Sequence, residues 1–197
     1  MARYADRLPV VRPPGLRLSS LRRPWYRLDA EAPADWTWQA HSTPRSRFDS
    51  ASGTVRVRYA GDAQRVAMRE RFDNSERVVR AADLDLHLVE LTGVVHILDL
   101  RRERNLDALR LDDQISTSRA PGLWVACQRL VDLVHRWFGE RCQGIVYRSR
   151  TTPQRSSNIA FFAHAPLTAR SLGALATRQD LLAACVLSDG FTLQGWR

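Results

Sequence analysis

The sequence predicts an α+β fold, a single domain whose mixed or mainly antiparallel sheets are flanked by helices. Three observations carry this expectation. Strand-like stretches occur both beside helical ones and directly after one another. One helical segment carries a long apolar stripe. The length of 197 residues is enough for one sizeable core and short for a second domain.

Residues 1–24 are rich in arginine and hold Pro9, Pro13 and Pro14 without stable periodicity, so they read as an extended arm over the body. The body is expected over residues 25–197, with a core from about 25 to 166 and a C-terminal helical extension over 168–197. PWYRL, residues 24–28, is a short strand candidate. DAEAPADWTWQAHSTPRSRFDSASG follows with Trp36 and Trp38, polar and turn-rich, and reads as a long loop folded over something functional.

In TVRVRYA, Val55, Val57 and Tyr59 alternate with Thr54, Arg56 and Arg58, the period of two of a half-buried strand. GDAQRVAMRERF then takes helical spacing, with Asp62 as the expected N-cap and Glu70 on the face shared by Val66 and Ala67. An acid on a face turned toward the preceding strand is a functional candidate; the ordinary alternative is a surface ion pair with Arg69 or Arg71. DLDLHLVEL and GVVHILDL read as two strands divided at Thr92 and Gly93, carrying His87 and His96.

LWVACQRLVDLVHRWF, with Pro121 just ahead, puts Leu123, Ala126, Cys127, Leu130, Leu133, Val134 and Trp137 on one stripe and His135 on its flank. GIVYRSRTTPQRSSNIAFF opens as an apolar strand, breaks into a polar loop and closes as a second strand. TRQDLLAACVLSDGF is a C-terminal helix closed near Gly190.

The formal charge of +9 rests on arginine alone, since the chain has no lysine. A basic balance suggests anionic partners, and an arginine facing a cleft grips phosphate or carboxylate with its planar fork. The arginines are scattered, and no helix-turn-helix or aromatic RNA-binding pattern appears, which weighs against the rival class, an arginine-rich nucleic-acid-binding protein.

Three cysteines without a C-x-x-C pair suggest neither a disulfide framework nor a zinc site; they read as small buried hydrophobes in a reducing cytoplasm. The histidines lack partners at ligand spacing, so no metal site is expected. No apolar run approaches bilayer length, and the early prolines interrupt the apolar segment a secretory leader needs, so a cytoplasmic protein is expected. Dinucleotide-fold glycine fingerprints, P-loops, nucleophile elbows and zincin motifs are absent from the sequence.

Four pieces in order form a pattern. They are Arg27 in WYRL; RFD at Arg47, Phe48 and Asp49; Tyr59 ahead of the helix holding Glu70; and Ser149 in YRSR, followed by Asn158 and the Phe161, Phe162 strand. Together they resemble the RES domain, a family named for its Arg, Glu and Ser, whose members are toxin components of bacterial type II toxin-antitoxin pairs. The resemblance spans residues 22–166, about three quarters of the chain. It implies a fold similar to ADP-ribosyltransferases and an activity that consumes NAD, as substrate and without a metal, by breaking the nicotinamide glycosidic bond.

Departure of nicotinamide leaves an oxocarbenium-like ribose, which a nearby carboxylate stabilises more than it stabilises the ground state. The resemblance gives that role to Glu70. It groups Arg27 and Ser149 with Glu70 as catalytic, and implies that Arg27 and Arg47 hold the pyrophosphate. Tyr59 is expected on the nicotinamide ring or the pocket wall, Ser149 on the nicotinamide amide or a ribose hydroxyl, and Asn158 among the binding residues. It further implies a cognate Xre-like antitoxin in a hetero-oligomer, with nucleic acid reached only through that antitoxin.

Water, phosphate and a protein target stay open as acceptors, so NAD glycohydrolase, phosphorylase and ADP-ribosyltransferase stand side by side. A scaffold that binds without turnover is a further alternative. Two places depart from the family pattern: Ser46 stands where glycine is frequent, and Arg69 and Arg71 flank the glutamate.

Overall fold

Where successive strand residues are apolar on both faces, a sheet must be covered on both sides, and that is how this chain is arranged. The computed structural model describes residues 4–33, 36, 44–118, 120–152 and 156–195. Helix α1 (Tyr4–Arg7) leads to β1 (Leu18–Leu21) and β2 (Trp25–Asp29); β3 (Val57–Gly61) then runs into α2 (Gln64–Phe72) and the short β4 (Val78–Arg80). Strands β5 (His87–Thr92) and β6 (Val95–Asp99) precede α3 (Glu103–Leu109), α4 (Gln114–Thr117) and the long α5 (Pro121–Phe138). The chain closes through β7 (Gly144–Arg148), β8 (Ser157–Phe162), β9 (Thr168–Ala174), α6 (Gln179–Asp189) and β10 (Thr192–Gln194).

Eight strands form one sheet in the order β1-β6-β7-β8-β3-β2-β5-β9, antiparallel except where β6 meets β7. That one parallel pair is bridged by α3, α4 and α5, the long crossover that parallel neighbours require. β10 and β4 make a separate parallel pair. The architecture is therefore α+β with a mixed sheet flanked by helices.

The period of two sorts the two cores. Ile145, Tyr147, Ala160 and Phe162 face the α5 stripe of Leu123, Cys127, Leu130 and Val134, whereas Val146, Ile159 and Phe161 face Trp25, Val89, Leu91 and Ile97. Each fully buried side chain of this size contributes roughly 2 kcal/mol. A third cluster joins α2 to α6 through Met68, Phe72, Leu181, Leu182 and Cys185. Gly190, left-handed at φ 69°, ends α6 where the sequence expects.

The structure departs from the sequence expectations in several places. The segment expected as an arm holds β1, paired with β6, and its Ala5, Leu8 and Leu16 are buried, so the sheet begins before residue 25. The C-terminal segment beyond residue 168 contributes edge strand β9 as well as a helix. Asp62 does not cap α2. The N-cap is Ala63, because the Asp62 carboxylate instead accepts from Ser157 N at 2.9 Å and Arg23 Nη2 at 3.2 Å. The strand expected over 54–60 begins at Val57 and ends at Gly61, while Val55 is buried ahead of it. Trp38 of the long tryptophan loop, and Pro153, Gln154 and Arg155 of the late polar loop, lie outside the described residues.

Candidate functional site

The site starts from a close approach of helix to strand. A Cβ at Gly61 would lie 2.7 Å from Val66 Cγ1 and 3.1 Å from Ala67 N, so glycine at the end of β3 lets the first turns of α2 settle on the sheet. Glu70 follows one turn later and is carried over the β7-β8-β3-β2 part of the sheet. There it meets the loop after β7, whose Ser149 N–H donates to Ser156 O at 3.0 Å and prolongs the β7-β8 pairing. Ser149 Oγ donates to Glu70 Oε1 at 2.9 Å, and Thr151 Oγ1 donates to the same oxygen at 2.6 Å. Both hydroxyl residues are 7% exposed, whereas Glu70 is exposed. Oε2 takes no hydrogen bond from the described residues.

Among the described residues, Glu70 is the only acid lining a cavity of about 370 Å³. Arg27, Arg47, Arg71 and Arg150 also line it, with Tyr26, Tyr59, Trp124 and Tyr147 as aromatic walls. Buried polar atoms without a partner among the described residues gather on this lining: Arg27 Nε, Ser116 Oγ, Trp124 Nε1 and Asn158 Oδ1. Buried groups of this kind normally find partners, so their concentration here marks a place where a polar ligand completes the bonding.

The arginines differ in how free they are. Arg27 pairs with Asp29 at 2.7 Å and donates to Tyr59 O at 3.2 Å, with its guanidinium 5.5 Å from the Trp36 ring centroid. Burial lowers its pKa to about 10, with Asp29 opposing and Arg58 and Arg71 adding to the fall. It stays charged at neutral pH. Arg47 sits deeper, and both of its terminal nitrogens donate to backbone carbonyls, Ile115 O at 2.8 Å and Ser118 O. Its fork therefore holds α4 to the cavity wall, and its burial likewise depresses its pKa. Arg71 makes no hydrogen bond or ion pair among the described residues.

Tyr59 is held by its hydroxyl, which donates to Asp49 Oδ1 at 2.8 Å and accepts from Phe48 N at 2.9 Å. Asp49 Oδ2 in turn accepts from Ser46 N at 2.7 Å and Arg45 N at 2.8 Å. The RFD tripeptide is thus a turn braced by its own aspartate, and the ring of Tyr59 faces the cavity. Burial pushes the phenols of Tyr59 and Tyr147 upward, so both stay neutral.

Of the residues singled out from sequence, Arg27, Arg47, Tyr59, Glu70 and Asn158 line the one cavity. Ser149 stands behind Glu70 and does not line it. Arg69 does not compete for Glu70: it turns away to Asp189 and Thr151 O. Thr151 and Trp124 escaped sequence reasoning. Thr151 follows Ser149 by two residues in a loop with several hydroxyls, and only the fold selects it. The buried thiols of Cys127, Cys142 and Cys185 are pushed up to about 12, 11 and 11 respectively, chiefly by burial, and none lines the cavity. Among the described residues no group of three His, Cys, Asp or Glu is placed to hold a metal ion. Among the described residues, no helix is long and apolar enough to cross a membrane.

A family model described as the RES domain matches residues 17–179. No curated protein matches the chain. Among solved structures, the chain is similar to one from the crystal structure of the M. tuberculosis MbcT-MbcA toxin-antitoxin complex. The identity is 16%, the likeness covers 93% of this chain and 98% of that chain, and the TM-score is 0.60. At that identity the likeness shows a shared fold.

Proposed function

The chain belongs to the RES-domain family, and from that premise we propose that it is the toxin of a toxin-antitoxin pair, an enzyme that cleaves the nicotinamide N-glycosidic bond of NAD. The observation that supports this most is the Glu70 carboxylate, the one acid among the described residues of an arginine-walled cavity, with two hydroxyls fixed on one of its oxygens. Ser149 and Thr151 hold Oε1, which leaves Oε2 for the ribose. As the bond from ribose to nicotinamide breaks, its electron pair leaves with the nicotinamide and positive charge grows on the sugar. A carboxylate already oriented beside that sugar stabilises the charge without reorganising. Water or phosphate then adds to the anomeric carbon and loses a proton.

In this reading Arg27 and Arg71 face the pyrophosphate, and Arg27 with Glu70 and Ser149 forms the catalytic group, Ser149 acting through Glu70. Tyr59 walls the nicotinamide end, Arg47 supports the α4 wall, and Asn158 offers its buried carboxamide oxygen, unpaired among the described residues, to the substrate. An Xre-like antitoxin covers the cavity in a cytoplasmic hetero-oligomer; a similar chain comes from a toxin-antitoxin complex.

The test uses purified, partner-free protein, NAD, and buffers with and without phosphate, with products identified by mass. Nicotinamide with ADP-ribose is expected from hydrolysis, or with a phosphorylated ADP-ribose when phosphate is the acceptor. Cleavage only when a protein target is added would replace this reading with ADP-ribose transfer, and a folded chain with no turnover in any arm would overturn the enzyme.

A further inference from the structure

Beyond residue 179, where the family match ends, α6 delivers one buried acid toward the site. Asp189 is 3% exposed and is shared by Arg65, through Nε at 2.7 Å and Nη2, and by Arg69 Nη2, while Arg77 Nη1 donates to its backbone carbonyl at 2.7 Å. Arg69, itself 7% exposed, uses its other terminal nitrogen on Thr151 O at 2.7 Å. The same Thr151 places its hydroxyl on Glu70 Oε1 at 2.6 Å. An arginine side chain has many rotamers; anchored at both ends of a planar fork, this one has a single orientation. Asp189 also occupies the guanidinium that stands next to Glu70 in sequence, the carboxylate Arg69 would otherwise be drawn toward.

We propose that Asp189 is a positioning residue, acting through Arg69 and Thr151 to hold the Glu70 carboxylate in its working orientation. The proposal rests on the NAD-cleaving reading and extends it to an element outside the matched family region. A merely structural Asp189 would tie α6 to α2 and leave the loop at 149–152 unaffected. A positioning Asp189 shares its effect with Thr151.

The experiment measures nicotinamide release from NAD by the full chain and by Asp189→Asn, Thr151→Val, Thr151→Ser and the Asp189→Asn/Thr151→Val double variant. It also follows amide hydrogen exchange of each. Asp189→Asn and Thr151→Val are each expected to lower kcat about tenfold with KM for NAD within about twofold, since a hydrogen bond to a charged group is lost. Thr151→Ser should keep near-parent kcat, and the double variant should be no slower than the slower single, as residues on one path are not additive. Losses that multiply, or parent kcat in Asp189→Asn, overturn the proposal. If the parent itself releases no nicotinamide, the NAD-cleaving reading fails, and the exchange arm still decides the linkage. Asp189→Asn should speed exchange at the Ser149 and Thr151 amides more than at Ile145 and Ile159 in β7 and β8, and uniform acceleration would overturn it.

Discussion

Glu70 lies among arginines on an exposed helical face, and what distinguishes it from an ordinary surface glutamate is the pair of hydroxyls on one of its oxygens. The residue pattern makes Glu70, Arg27, Arg47, Tyr59, Ser149 and Asn158 legible in the sequence, because ordered spacing survives in a linear string. It does not show what each side chain spends its polar atoms on. Nothing in the string shows that Arg47, on the cavity lining, also donates to the carbonyls of Ile115 in α4 and of Ser118 just after it, or that Thr151, a residue typical of turns, is brought by the fold to Glu70. Tyr59 binds its hydroxyl to the RFD turn, so Tyr59→Phe removes a bond to a carboxylate and unpairs Phe48 N. A loss of about 2 kcal/mol in urea unfolding is expected, and an unchanged midpoint would show that the brace contributes nothing. With their pKa values at about 11 to 12 and their side chains buried, the three cysteines should not react with a thiol reagent until the protein unfolds.

Elements with long periodic patterns are legible from sequence: α5, α6, β6, β7 and β8 form where apolar spacing places them, and β5 forms over the second half of its expected stretch, starting at His87. Strands β1 and β9 are not, because each lies at an edge of the sheet with no fully buried residue, so burial imposes no apolar alternation on it. The two-residue-scale contacts that join α2 to α6 are equally invisible, since Arg69 and Asp189 are separated by 120 positions. That junction carries a pH dependence. Burial pushes the Asp189 carboxyl up, but the hydrogen bonds from Arg65 and Arg69 outweigh it and hold the group at about 2, below its ordinary 3.8. A carboxylate with a depressed folded pKa stabilises the protein above its unfolded value, and that contribution is lost as pH falls from about 4 to about 2. Asp99, lowered by Arg101 and Arg102 against its own burial, adds in the same direction. Asp189→Asn should therefore flatten the fall in stability across that window; an equally steep fall in the variant would show that other groups govern it.

At the scale of the whole molecule, a formal charge of +9 invites a nucleic-acid reading. Several arginines are instead paired within the protein, by Asp29, Asp73, Asp99 and Asp189, and two of these, Arg27 and Arg150, line one concave site together with Arg47 and Arg71. Such a surface should bind duplex DNA weakly and lose it steeply with salt. In a gel-shift titration no discrete complex is expected at physiological salt, and a tight, salt-resistant one would favour the rival class. The same concave site, fixed by the contact of α2 with β3 and by the loop after β7, is the seat of the proposed chemistry. The measurement that tests it most directly is the time course of nicotinamide release from NAD by the parent and by Glu70→Gln, both shown to be folded and free of partner. Steady release by the parent and a fall of at least about a hundredfold in Glu70→Gln are expected, the scale set by removing a preorganised charge from the transition state; equal release by the two proteins would rule Glu70 out of the chemistry.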